Sequence, residues 1–218
     1  MTRPFEVAHL DELDSYPVGS EGLMWRPVRR RFGVEAFGVN AYTVAEAGQE
    51  VVEHHDEVPQ GGGAAGHQEL YVVLRGRATF TLDGEEVDAP AGTLVFIRDP
   101  SVRRGAVARE PETAVLAVGG VPGEPYRVSP WEYTFAAHGY REAGDEERAI
   151  EHLRAGLERY PDNWSLLFNL ACYESLAGRR DDALEHLRSA IELHPEAIEH
   201  ARIEKDLDPI RDDPRFPG

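Results

Sequence analysis

Between Gly48 and Val95 the chain places glycine, histidine, glutamate and proline at spacings that suit short strands joined by tight turns. Gly48 is followed after five residues by His54, and Glu69 after six residues by Gly76. Gly84 is followed after five residues by Pro90-Ala91-Gly92, and two more residues lead to Val95. From Gly22 to Gly120 the surrounding text is strand-like, with short runs of Val, Phe, Tyr and Thr punctuated by Gly, Pro and Asp-Gly. Ala78–Leu82, Asp83-Gly84 and Glu85–Val87 read as a tight hairpin, because an Asp-Gly pair accepts the positive φ angles that such a turn demands. Several such strands imply a sandwich or a barrel.

These spaced residues resemble the two-part signature of the cupin superfamily. The first part of that signature reads G, five residues, H-x-H, three or four residues, E, six residues, G; the second reads G, five residues, P-x-G, two residues, H. Gly48, His54, Glu69 and Gly76 match the first part, and Gly84, Pro90 and Gly92 match the second. Asp56 stands in the second histidine slot of H-x-H, and Val95 stands where the last histidine belongs. The resemblance implies a double-stranded β-helix, or jelly-roll barrel, with a ligand site inside.

Alternate residues of a barrel strand point inward. With Glu69 facing in, His67, Tyr71 and Val73 share its face, while Leu70, Val72 and Leu74 face out. Thr93, Val95 and Ile97 likewise lie on one face, and Leu94 and Phe96 on the other. Strands that are apolar on both faces must be covered on both. A second subunit or the C-terminal helices are the candidates to cover the outer one.

The resemblance implies a metal held by imidazoles and one carboxylate, a donor set that suits Zn, Fe, Mn, Ni or Cu. Val95 cannot coordinate, so His54 and Glu69 need help. His55 and His67 are the candidates that restore the count, giving a site of His54 or His55 with His67 and Glu69, and Asp56 as a fourth donor. The alternative is a wet barrel mouth at which these histidines bind nothing. Of Arg98, Arg103 and Arg104, the adjacent pair must point to opposite faces of a strand, so one of them is a candidate anchor for an anion. Tyr71, Val95, Arg98 and Arg104 are the expected lining of a ligand pocket. The glycine-rich stretch Gln60–Gly66 lacks the Gly-Lys-Ser/Thr ending of a phosphate loop and is expected to be a lid or hairpin extension.

The run Gly119-Gly120-Val121-Pro122-Gly123-Glu124-Pro125 breaks the strand pattern and marks a domain boundary. Beyond it, Ala149 and Ala183, Leu153 and Leu187, and Pro161 and Pro195 each stand 34 residues apart. This spacing resembles the tetratricopeptide repeat, at nearly two copies. A small residue lets paired helices approach, a large apolar one four positions later fills the same face, and proline closes the second helix. Departures from the repeat include Gly156 where Ala190 stands and Glu174 where Tyr140 stands. The tail from Ala197 to Arg211 is expected to cap the last repeat. Cys172, inside a repeat helix, reads as a packing thiol.

A formal net charge of −17 argues against nucleic acid or an anionic membrane as a partner. Arg29-Arg30-Arg31 is read as solvated strand rather than as a binding patch. One cysteine excludes an internal disulfide and suits a reducing cytosol, and no run approaches membrane-spanning length. The expected organisation is an N-terminal extension over 1–21, a cupin barrel over 22–120, a linker over 121–130 and antiparallel helical repeats over 131–218. The expected function is small-molecule binding in the barrel of a cytoplasmic homodimer, with the repeats serving assembly or a protein partner. The rival readings are a metal-dependent oxygenase or isomerase and a non-catalytic interaction scaffold.

Overall fold

Asp83 and Gly84 both take positive φ, 49° and 89°, and fold Arg77–Leu82 back on Glu85–Pro90 with Leu82 opposite Glu85. The two-residue turn read from the Asp-Gly pair is therefore present. The computed structural model describes residues 6–58 and 66–217; the stretch Gln60–Gly66 lies outside the described residues except for Gly66 itself. The contacts divide the chain after Val128 into two compact units.

The described residues of the first unit form ten strands, β1 (Tyr16–Pro17), β2 (Met24–Arg26), β3 (Gly38–Thr43), β4 (Glu50–His55), β5 (Gln68–Arg75), β6 (Arg77–Leu82), β7 (Glu85–Pro90), β8 (Leu94–Ile97), β9 (Arg104–Ala108) and β10 (Ala114–Gly120). They form a six-stranded sheet in the order β1-β2-β3-β10-β5-β8 and a four-stranded sheet in the order β4-β9-β6-β7. All recorded pairings are antiparallel. Tyr71 of the first sheet meets Phe80 of the second, ring centroids 5.6 Å apart, so their shared side is the interior of a two-sheet barrel. Tyr71, Val73, Val95 and Ile97 are buried there, whereas Leu74, Leu94 and Phe96 are exposed on the outer side. The alternation read from the sequence is thus the alternation of the strands.

Residues ahead of position 22 contribute to this unit, since β1 pairs with β2 at the sheet edge and Arg75 bonds Asp11 through both terminal nitrogens. Arg29, Arg30 and Arg31 do not lie on a strand. They belong to a short helix, α1 (Val28–Phe32), closed by Gly33 at φ 63°. A left-handed glycine just past the last turn is a strong helix stop, and it outweighs the strand-like context of the arginines.

The second unit is helical: α2 (Pro130–Glu142), α3 (Glu146–Arg159), α4 (Trp164–Leu176), α5 (Arg180–Leu193), α6 (Ala197–Ile203) and a closing 3-10 segment, Lys205–Ile210. Pro130 stands in the first turn of α2, where its missing N–H costs nothing. Asn163 accepts a hydrogen bond from the Leu166 amide and opens α4. Ala149, Leu153, Ala183 and Leu187, the alanines and leucines of the 34-residue spacing, are all fully buried in the helical core, while Pro161 and Pro195 are exposed at the helix ends. Glu174, in the place of an aromatic residue, is buried too, and its two carboxylate oxygens bind Arg154 at 2.7 Å and His186 at 2.6 Å. No described helix is long and apolar enough to cross a membrane.

Candidate functional site

The pairing of β4 with β9 slips twice along its length. Glu50 lies opposite Val107, Val52 opposite Ala106 and His55 opposite Arg104, so β4 spends extra residues against its partner. Each such bulge inverts the facing of the residues after it. Val51 and Val52 are consequently both buried, and His55, not His54, turns to the interior side with Arg104. His54 turns to the exposed side, where its Nδ1 meets Glu50 Oε1 at 2.9 Å. It lies so close over Gly105 that a Cβ there would come within 2.7 Å of the ring.

His55, Glu57 and Glu69 bring one donor atom each to within 4.8 Å of one another. His55 and Glu57 stand two residues apart along an extended segment, and Glu69 comes from β5 of the other sheet. His55 Nε2 is 3.7 Å from Glu69 Oε2. The same oxygen accepts from Tyr71 at 2.7 Å and from Arg104 Nε at 3.0 Å. Arg104 is fully buried, and its Nη1 donates to the carbonyls of Pro100 and Val102. Its Nη2 lies 2.9 Å from Glu69 Oε2 but makes no aligned hydrogen bond among the described residues. His67 is buried beside the group, with Nδ1 3.5 Å from Glu57 Oε2.

The electrostatics follow from this crowding. Burial, and then the neighbouring Glu69, push the Glu57 carboxyl up to about 7. Burial also works against Glu69, but His55, Tyr71 and Arg104 together hold its carboxyl below the usual range. For His55, burial disfavours the charged ring, yet Glu69 and the Glu53 carbonyl outweigh it and raise its pKa. Burial lowers that of His67 and, with Glu69, raises the Tyr71 phenol well above its ordinary value. With Glu57 ionised and the His55 ring neutral, two carboxylates face one permanent guanidinium, and a cation would balance the difference.

One imidazole nitrogen and two carboxylate oxygens are a donor set that first-row transition cations accept. Glu69 is the ligand position of the sequence motif, while Glu57 lies outside that motif. Its signal is the His55-x-Glu57 spacing, which the bulge disguises at the level of sequence. Asp56 caps its own turn through the Val58 amide at 3.1 Å and is not in the cluster. Val95 faces the interior opposite Tyr71, as a wall and not a ligand. Arg98 is exposed on the outer side, its guanidinium 5.8 Å from the centre of the Phe96 ring, and does not join Tyr71, Val95 and Arg104 in the barrel. Strand alternation explains this, since Arg98 shares the parity of Leu94 and Phe96.

The tetratricopeptide repeat family matches residues 130–171. Solved structures similar to the N-terminal half include KdgF from Halomonas sp., 21% identical over 54% of this chain and 92% of that one, with a TM-score of 0.41. A cupin protein from Bacteroides fragilis is 16% identical over 58% of this chain and 92% of its own, with a TM-score of 0.40. A cupin-superfamily sugar phosphate isomerase from Silicibacter pomeroyi is 17% identical over 53% and 75%, with a TM-score of 0.42. No curated protein matches the chain.

Proposed function

We propose that this chain, a cupin-type barrel followed by tetratricopeptide-type helices, binds a small molecule inside the barrel beside a divalent transition cation held by His55, Glu57 and Glu69. The observation that carries the reading is the convergence of those three donor atoms within 4.8 Å, from both sheets. The cation would supply a Lewis-acidic anchor for a ligand oxygen. Arg104 and Tyr71 fix the Glu69 carboxylate, and His67 stands against Glu57. The apolar outer face at β8 is proposed to pair with a second copy of the chain, and the repeats to serve assembly or a protein partner. The buried thiol of Cys172, its pKa pushed up by burial, fits a protein of the reducing cytosol.

The test is uptake of Mn, Fe, Ni, Cu or Zn by the full-length protein after chelation and dialysis, read by elemental analysis. His55→Ala and Glu57→Gln are expected to lose the metal and His54→Ala to keep it. Loss with His54→Ala and retention with His55→Ala would overturn the assignment. A second reading, a metal-free barrel, draws on the Arg104–Glu69 ion pair, in which the guanidinium already neutralises the carboxylate a metal would need. Failure of the wild-type protein to take up any of the five metals would favour it.

A further inference from the structure

Asn40 of β3 lies opposite Ala117, Ala117 opposite Tyr71, and Tyr71 opposite Val95. Residues directly opposite in antiparallel strands share a face, so this row places the Asn40 side chain on the interior face with Tyr71. Asn40 is 5% exposed, and its Oδ1 has no hydrogen-bond partner among the described residues. An unpaired amide in a protein interior carries a desolvation cost, and native chains seldom keep one without a use. A leucine would fill the same place without that cost. The strip between Asn40 and Glu69 is meanwhile lined by Gly38, Ala117 and Gly119, residues with little or no side chain. The ring of Tyr126 lies over Gly38, with its centroid 6.2 Å from that of His67.

We infer that Asn40 is a ligand-reading residue, and that the barrel takes a small polyhydroxylated molecule whose hydroxyl donates to Asn40 Oδ1. The inference rests on the proposed reading of the barrel as a small-molecule site and names the class of ligand. Two interior groups of opposite polarity lack an aligned hydrogen-bond partner among the described residues, the Asn40 oxygen, which can only accept, and Arg104 Nη2, which can only donate and has the Glu69 carboxylate as ion-pair partner at 2.9 Å. Hydroxyl groups satisfy both. An anionic ligand is disfavoured by Glu57 and Glu69, and a wholly apolar one would leave the Asn40 oxygen unpaired. Tyr126 adds an aromatic surface of the kind on which the C–H faces of polyols pack.

The experiment compares the full-length wild type with Asn40→Leu by calorimetric melting and by titration with xylitol and D-sorbitol, with 1,2-dimethoxyethane as the uncharged control that carries no hydroxyl. The ligand-free Asn40→Leu protein is expected to melt about 2–4 °C above the wild type, because it buries no unpaired amide. Its affinity for xylitol or sorbitol is expected to fall about tenfold or more, the loss of one hydrogen bond to a buried group. 1,2-Dimethoxyethane is expected to bind neither protein. Asn40→Ala, which adds no bulk to the barrel, must lose the same affinity. Metal uptake is read in parallel and is expected to be unchanged in both variants, so failure here is distinguishable from failure of the cation site. A lowered melting temperature of Asn40→Leu with binding intact would show the amide to be structural, satisfied by buried water, and would overturn the inference. Absence of binding of either polyhydroxylated probe to the wild type at millimolar concentration would overturn it equally.

Discussion

Arg104 Nε holds Glu69 Oε2 at 3.0 Å across the gap between the two sheets, from a side chain with no exposed surface. An ion pair of this kind is weak evidence of net stabilisation, because both charges were taken out of water to form it. Removing one partner is a different matter, since the other charge is then left buried and unpaired. Arg104→Met is expected to destabilise the protein by about 3–5 kcal/mol, and the double variant with Glu69→Gln to recover most of that loss. Arg104→Lys should recover little, because one ammonium cannot reproduce the bonds to Glu69, Pro100 and Val102 together. Urea unfolding of the four proteins measures this, and a loss below about 1 kcal/mol in Arg104→Met would indicate a water-filled site.

The Glu57 carboxyl, pushed up to about 7 in the folded protein, ordinarily titrates near 4.5. The folded chain therefore binds this proton more tightly than the unfolded chain. The associated stability is fully present below pH ~4.5 and is lost as pH rises through about 7. Glu57→Gln, which cannot ionise, is expected to gain stability relative to metal-free wild type between pH 5 and pH 8, on the order of 1–3 kcal/mol. Metal should reverse the sign, because a bound cation stabilises the ionised wild-type carboxylate and gains nothing from glutamine. Melting curves at both pH values, with and without Zn, check each half. A pH-independent difference between the two proteins would mean that Glu57 titrates as an exposed carboxylate.

Much of the barrel was legible because turns constrain residue type strongly. Gly48, Gly76, Gly84 and Gly92 all take positive φ, so the spacing that suggested the fold is the spacing of the turns themselves. The helical half was legible through Ala149 and Ala183 and their partners, whose size is fixed by close packing. The candidate site was read less well. A bulge has no residue signature of its own, and two slips along β4 decide between His54 and His55, which the sequence left open, and bring Glu57 into the group. Asn40 was invisible for another reason. A single amide in a run of strand residues signals nothing until the cross-strand register shows which side it faces.

Pro122, Gly123, Glu124 and Pro125 lie outside any helix or strand, whereas β10 runs to Gly120 and α2 starts at Pro130. All four are exposed. Tyr126, just beyond, packs over Gly38 of the first unit. Exposed backbone without ladder or helix bonds is where proteases cut first. Trypsin digestion is expected to cleave first after Arg127, exposed in the same segment, and to leave a β-rich and a helical fragment, identified by mass and circular dichroism. First cuts within α3 or α5 would place the weakest segment in the repeats.

Leu94 and Phe96 are 65% and 51% exposed on β8, an edge strand of the six-stranded sheet, and Leu74 on β5 is 44% exposed on the same side. An uncovered apolar edge strand is a template for pairing, and soluble proteins blunt such edges with charge or cover them. Here the charge beside the edge is Arg98, laid against the Phe96 ring. Two copies can meet along β8 by a twofold axis, which buries the same apolar residues from both and extends the sheet without a free edge between them. Opposing this, a net charge of −17 on each copy penalises association at low salt, so the dimer should tighten as ionic strength rises. Sedimentation of the full-length protein in about 0.15 M salt is expected to give twice the mass of one chain. Phe96→Glu and Leu94→Glu are expected to give the monomer, with folding intact by circular dichroism, because neither side chain is needed in the interior. A wild-type monomer across the salt range, or charged variants that remain dimeric, would place the self-association surface elsewhere or remove it.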